Sequence, residues 1–288
     1  YGDSEVLDTL DAKYKRLESK SEFQNLSATC PMISTWDDHD YGANDAGRHY
    51  PLKLQSKELF LNFWKVPKED IRYQREGIYT AYYYQDGKHT LQIIVLDMRT
   101  FRDDLRRYHG EQVDTTRFFY DLDYLPYETT DSTLLGETQW SWLEKQLSVP
   151  ADLRIIASSS QFGITFNGYE AWANFPHEQK RFLDLVKSTG ANGVVFISGD
   201  VHYAEISRLN YPEVYPIYDV TASGITSTWD FATPNDNRID GAVMENHFGL
   251  LEIEWEGKPN VNMKIIDVNG KVRIDRTVLL KDLQLSIQ

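Results

Sequence analysis

ANGVVFISGDVHYAEI, residues 191–206, places an apolar run directly before a polar turn. This pattern predicts a buried strand that ends at Gly199 and Asp200. The preceding segment, 175–190, has the apolar spacing of a helix and ends in a glycine, which is a common helix stop. A helix followed by a buried strand is typical of a layered α/β fold.

The same alternation extends outward from this stretch. We predict helices over 6–22, 55–65 and 136–147, strands over 154–162, 216–224, 249–257 and 260–280, and a hairpin over 79–97 that turns at Asp86-Gly87. Strands alternate with helices in the middle of the chain and β structure closes it, so we expect helices covering sheets. Because we find no repeat, low-complexity segment or Pro/Gly-rich linker, we treat 1–288 as one domain.

Composition limits the classes of function. The 288 residues are 41% hydrophobic, enough for a substantial core, and carry a net charge of −14. This charge argues against a nucleic-acid binder with a basic footprint and against a protein that binds anionic membranes. The single cysteine, Cys30, rules out an intrachain disulfide but leaves the compartment open. No apolar run approaches the length of a transmembrane segment.

Polar side chains follow the central strand at its carboxyl end, where ligands bind in layered α/β folds. Asp200 and His202 are one residue apart, so they would share a face if the strand continued through them. An oxygen and a nitrogen donor on one face suit a transition metal or a mixed metal site. The alternative for such a pair alone is a turn-capping aspartate beside a surface histidine.

A second polar cluster, TWDDHDYGANDAG, covers residues 35–47 and surrounds His39 with aspartates. The alternative here is a solvated acidic loop whose aspartates cap backbone amides. Trp36 and Tyr41, however, are large rings that prefer burial, and buried carboxylates have to be paired or bound to metal. The pattern therefore favours a site that binds a cation.

Two further segments carry candidate substrate contacts. In VLDMRTFRDD, residues 95–104, Arg99 and Arg102 follow a strand-ending aspartate, and arginine recognises phosphate oxygens with a bidentate fork. A surface ion pair is the alternative for either arginine. The loop 223–247 is a second candidate, through Trp229 or His247, with a packing role as the alternative for each.

Seven motifs in one order resemble the alkaline phosphatase D (PhoD-like) family of metallophosphoesterases over nearly the whole chain. They are WDDHDYG, LDMRTFRD, LLGETQWSWLEKQL, SSSQFG, SGDVHYAE, YDVTASGIT and NHFGLLEI. The first and fifth are specific when they occur together. The resemblance implies a calcineurin-like α/β sandwich, two sheets flanked by helices, with a two-metal centre at the strand ends that hydrolyses phosphate monoesters or diesters.

The resemblance also implies roles for single residues. Asp38 would be a metal ligand in the place of an asparagine, His39 the catalytic histidine, and Asp200 and His202 metal ligands in the place of a His-x-His pair. Other residues of the acidic loop would assist: Asn44 would orient phosphate together with Arg99, whereas Asp37, Asp40 and Asp45 would have supporting or capping roles. Carboxylate-rich ligation favours Ca²⁺ or Mn²⁺ at one position, with Fe³⁺ at the other if a tyrosine ligates it and Zn²⁺ as an alternative.

The sequence departs from the family pattern at two places. Tyr1 would be the tyrosine that ligates a ferric ion, at the end of a motif whose metal-bridging aspartate is not in this chain. The first core strands of the family would then be missing too, leaving a sheet edge unpaired. Ser158–Gln161 lies where the wider superfamily has another histidine ligand. Export to a secreted, periplasmic or cell-envelope location is expected from the family, although this chain contains no signal segment.

Two other classes stay open. A truncated or degenerate metallophosphoesterase domain would bind metal or a partner without turnover. A glycosidase with paired carboxylates fits the composition, but it predicts no metal dependence and gives the Asp200–His202 pair no role, so we rank it last.

Overall fold

The computed structural model describes residues 4–109 and 123–285. Its α-helices are α1 (Leu7–Glu18), α2 (Ser21–Thr29), α3 (Asp38–Tyr41), α4 (Lys53–Phe63), α5 (Gly136–Leu147) and α6 (Pro176–Thr189). Its strands are β1 (Thr80–Asp86), β2 (His89–Val95), β3 (Arg106–Arg107), β4 (Tyr124–Leu125), β5 (Leu153–Ala157), β6 (Val194–Ser198), β7 (Ala204–Tyr211), β8 (Val214–Ala222), β9 (Arg238–Val243), β10 (His247–Glu254), β11 (Asn260–Asp267) and β12 (Val272–Leu279). None of the helices among these residues is long and apolar enough to cross a membrane.

A large mixed sheet organises the described part of the chain, with its strands in the order β1-β2-β5-β6-β8-β7-β9. Its central strands β2, β5, β6 and β8 run parallel, and antiparallel strands flank them on both sides. A second, antiparallel sheet has the order β10-β11-β12, and β3 and β4 form a separate two-stranded antiparallel pair. Parallel strands are buried on both faces, which explains why apolar runs such as VVFIS predict β6 so well.

One apolar core joins both sheets to α5 and α6. The buried face of α5 shows helical spacing, with Trp140, Leu143 and Leu147 all directed into this core. Gly190 ends α6 in the left-handed conformation, with φ of 69°, as the sequence predicts. The expected α/β architecture of two sheets with flanking helices is confirmed, whereas the single domain over 1–288 stays a prediction.

A separate apolar cluster holds the acidic loop in place. It packs Trp36 and Tyr41 against Phe60 of α4 and Leu10 of α1. Trp36 and Tyr41 are both buried, as we expected from their size. The short helix α3 is therefore anchored on its apolar side, and its Asp38 carboxylate is left to face the turn after β6.

An open groove of about 800 Å³ lies between the two sheets. Its walls are apolar side chains of β2, β5, β6 and β8 on one side and of β10 on the other, and its polar end contains Asp37 and Asp200. Within the described residues β10 pairs as a strand only with β11, and on its other side the His247 N–H donates to the Gly224 carbonyl at 3.1 Å. The rest of this edge lies beside the groove.

Three details differ from the predicted elements. The helix expected over 6–22 ends at Glu18, and α2 begins at Ser21. The hairpin pairs Asp86 with His89, so its turn lies one residue later than predicted. The loop expected over 223–247 contains the edge strand β9. Register shifts interrupt the pairing of β9 with β7, so its sequence shows little regular alternation of polar and apolar residues.

Candidate metal centre

Strand β6 ends at Ser198, and the chain then turns sharply instead of continuing as a strand. Asp200 and His202 both have left-handed backbone conformations, with φ of 74° and 55°. The premise that a strand continues through both residues is therefore wrong. Non-glycine residues with positive φ are uncommon and cluster at functional sites. The turn is fixed by backbone hydrogen bonds, including one from the Gly199 N–H to the Ser159 carbonyl at 3.0 Å.

Helix α3 carries the acidic loop to this turn. Both carboxylate oxygens of Asp38 accept backbone hydrogen bonds, from the His39 N–H at 2.8 Å and from the Asp45 N–H at 3.0 Å. Asp40 accepts a hydrogen bond from the Asp37 N–H at 3.5 Å and faces the Tyr14 hydroxyl at 3.4 Å. The contacts of Asp40 fit the capping role that we expected for it. The backbone hydrogen bonds to Asp38 fix the orientation of the Asp38 side chain.

The two polar clusters meet in space. Asp37, Asp38 and Asp200 each offer one carboxylate oxygen, and these atoms all lie within 4.8 Å of one another. Three convergent oxygens match what hard divalent cations prefer, so these residues fit a metal ion. The structure thus joins the predicted ligands Asp38 and Asp200 and adds Asp37, for which we expected only a supporting role.

The electrostatics of this cluster favour a cation. Burial, followed by the repulsion of Asp37 and Glu170, raises the pKa of Asp200 well above its usual range. Burial also raises the pKa of Asp37 to about 6, although Arg99 acts in the opposite direction. For Asp38, Arg99 and the Asp45 N–H outweigh burial and lower the pKa. Positive charge is therefore needed if all three carboxylates are to be ionised together.

Arg99 is fully buried behind the cluster. Its guanidinium Nε donates to Asp37 at 2.8 Å, and Nη1 donates to both carboxylate oxygens of Glu170 at 3.0 and 2.9 Å. The charges of Asp37 and Glu170 outweigh burial and hold the pKa of Arg99 well above its usual value. Direct contact of Arg99 with phosphate stays a prediction; the observed contacts fit a residue that positions Asp37.

Glu170 is a member of this network that the sequence reasoning missed. Its side chain is 5% exposed and bridges Arg99 to Arg102, whose Nε lies 3.3 Å away. Burial alone would raise its pKa, but Arg102 and Arg99 lower it. Glu170 lies in an irregular segment between β5 and α6 and belongs to no motif, so no periodicity or spacing points to it.

The other predicted residues line a cavity of about 540 Å³ beside the carboxylates. His39, Asn44 and His202 all face it together with Asp38 and Asp200. The His39 Nε2 lies 3.9 Å from Asp38, and the Asn44 amide donates to Asp45 at 2.9 Å.

Two predicted ligands remain unassigned. His202 lies outside the group of three oxygens, and its Nδ1 is 3.1 Å from the Ser227 hydroxyl. Its role as a ligand stays a prediction. Tyr1 lies outside the described residues, so its role as a ferric ligand also stays a prediction.

Comparisons with known proteins agree on one family. The profile of the family described as PhoD-like phosphatase matches residues 4–277. Alkaline phosphatase D of Bacillus subtilis (strain 168) is 25% identical over 241 residues, an alignment that covers 73% of this chain and 38% of that protein. A solved structure, titled "Structure of PhoD", superposes with a TM-score of 0.61 at 18% identity and covers 95% of this chain and 60% of that one.

The chain therefore spans less than two thirds of the length of either relative. The solved structure supports the fold, and the profile match extends over nearly all of the sequence. On this match, the chain belongs to the PhoD-like phosphatase family.

Proposed function

We propose that this chain forms the site of a metal-dependent phosphoric ester hydrolase, a phosphodiesterase or alkaline phosphatase. The observation that carries the proposal is the convergence of Asp37, Asp38 and Asp200 on a cavity that His39 also lines. The family match and the similarity to alkaline phosphatase D support the reaction class.

The proposed metal ligands are Asp38 and Asp200, joined by Asp37 and by the nitrogen donor that we expect from His202. An oxygen-rich set of this kind favours Ca²⁺ or Mn²⁺. A second metal ion is inferred from the resemblance alone, with Fe³⁺ or Zn²⁺ as the candidates. When bound, the metals would act as Lewis acids on the phosphate and lower the pKa of a water molecule.

The side chains around the cavity have separate tasks in this proposal. His39 lies on the cavity wall next to Asp38, where it would protonate the leaving oxygen of the ester. Asn44 would donate its amide to a phosphate oxygen from the same wall. Arg99 and Glu170 would hold Asp37 in place from behind, because both are buried and joined by hydrogen bonds.

The test is hydrolysis of bis-(p-nitrophenyl) phosphate by the purified protein, before and after metal removal with a chelator. We expect activity that disappears with the metal and returns when Mn²⁺ or Ca²⁺ is added back. His39→Ala should lower turnover by about 10²- to 10⁴-fold while the metal content is unchanged. Turnover that survives complete metal removal would rule out the proposal.

A second candidate is a domain that binds metal without turnover. It is favoured by the ligand set, since the group of three carboxylate oxygens found among the described residues accounts for a single metal ion. Metal analysis together with the same assay separates the two, since this candidate predicts bound metal and no hydrolysis. Export to the cell envelope or the medium stays a prediction from the family resemblance.

A further inference from the structure

A tryptophan stands at the rim of the acidic cavity. Trp229 lies in the loop that follows β8, where its neighbours Ile225, Thr226 and Ser227 are exposed but its own ring is half-buried. It lines the same cavity of about 540 Å³ as Asp38, His39 and Asp200. A large ring in an exposed loop therefore faces the proposed reaction site.

The surroundings of Trp229 are not those of a core residue. Within the described residues, it belongs to none of the apolar core clusters. Its ring centroid lies 5.2 Å from that of His202, 5.5 Å from Tyr169 and 5.1 Å from Phe231, on which it stacks at 13°. Its backbone N–H also donates to the His202 carbonyl at 3.1 Å. Two residues that line the same cavity, His202 and Tyr169, thus lie against the ring.

The cavity has two chemically different walls. One is formed by carboxylates and suits a metal-bound phosphate, and the other is formed by the rings of Trp229 and Tyr169. Its volume leaves room for a group attached to the phosphate. Aromatic side chains bind flat rings by stacking, and this recognition tolerates many ring types.

We propose that the substrate is a small phosphate ester that carries a flat aromatic ring, aryl or nucleobase, and that this ring packs against Trp229. This inference rests on the proposed function and names its substrate class. A small ester fits better than a nucleic-acid strand, because a net charge of −14 repels a polyanionic backbone.

Binding of two ligands that differ only in ring planarity tests the proposal. Phenylphosphonate and cyclohexylphosphonate have the same charge and nearly the same size, but only the first has a flat π face, and neither has an ester bond that the site could hydrolyse during the titration. We expect isothermal titration of the Mn²⁺-loaded protein to show a preference of about tenfold for phenylphosphonate. Trp229→Phe should keep most of this preference, and Trp229→Leu should abolish it.

A matched control is available on a distant surface. Trp255 is also half-buried and stacks on His89, with ring centroids 4.8 Å apart, in a different cavity. Trp255→Leu should leave the preference unchanged. Thermal unfolding of each variant shows whether a lost preference only reflects a lost fold, and retention of the preference by Trp229→Phe separates stacking from loop packing.

Each outcome bears on a different claim. Equal affinity for the two phosphonates in the unmodified protein, or a preference that Trp229→Leu leaves intact, would overturn the proposed ring site. Binding of inorganic phosphate is the separate readout for the proposed function. If metal-loaded protein binds no inorganic phosphate, the phosphoesterase site is refuted and the ring site with it.

Discussion

At the scale of single residues, the site is a balance between carboxylates and buried arginines. Asp37 takes part in both, since it shares the three-oxygen group with Asp200 and an ion pair with Arg99. Glu170 completes the balance because it binds Arg99 and Arg102 together. A buried charge is stable only when it is paired. Removal of one partner therefore leaves the desolvation free energy of the remaining charges uncompensated.

Glu170→Gln tests this balance. We expect a loss of about 3–5 kcal/mol in the free energy of unfolding, because Arg99 and Arg102 would lose a buried counter-ion. Urea denaturation measures the change. Glu137→Gln is the matched control, because Glu137 pairs with Arg181 on the exposed face of α5, where such a pair contributes less than about 1 kcal/mol. Equal losses in the two variants would contradict the network.

Sequence reasoning named Asp38 and Asp200, which the structure brings together, and did not name Glu170. Asp200 follows β6, an element that the sequence marks clearly, whereas Asp38 was picked out by the acidic motif around His39. The inclusion of Asp37 could not be predicted, since it depends on the angle at which α3 meets the turn after β6. The place of Glu170 in the network could not be predicted either, because it depends on tertiary contacts alone.

At the scale of elements, prediction succeeded where patterns are long and regular. The strands β5 and β6 are buried on both faces and appear as continuous apolar runs, and α6 has clear helical spacing and a glycine stop. The four-residue helix α3 is too short to show a period. Its position is fixed by the burial of Trp36 and Tyr41, which sequence suggested only through ring size.

The packing between these elements depends on stacked rings. Phe162, in the segment that follows β5, is fully buried and stacks on Phe196 of β6, with centroids 4.0 Å apart. We expect Phe162→Ala to lower the free energy of unfolding by about 3–5 kcal/mol, because it leaves a cavity between β6 and α6. Tyr84→Ala on the exposed side of β1 should change it by less than about 1 kcal/mol. Similar denaturation midpoints for both variants would refute this packing.

At the scale of the whole molecule, motif order predicted the architecture better than any single element did. Seven short motifs in one order implied two sheets with flanking helices, and the described chain has them. The groove between the sheets could not be located from sequence, because it depends on how the second sheet packs over the first. The acidic end of this groove is also the proposed metal site.

The proposed function depends most on the binding of a metal ion by Asp37, Asp38 and Asp200. Titration with Mn²⁺, followed by the loss of the free-ion signal in electron paramagnetic resonance, measures this directly. We expect saturable binding by the unmodified protein and an affinity at least about tenfold lower in Asp200→Asn, because one charged ligand is removed. Asp230→Asn, an exposed aspartate of the neighbouring loop, should bind as the unmodified protein does. Equal affinity in Asp200→Asn and the unmodified protein would contradict the account.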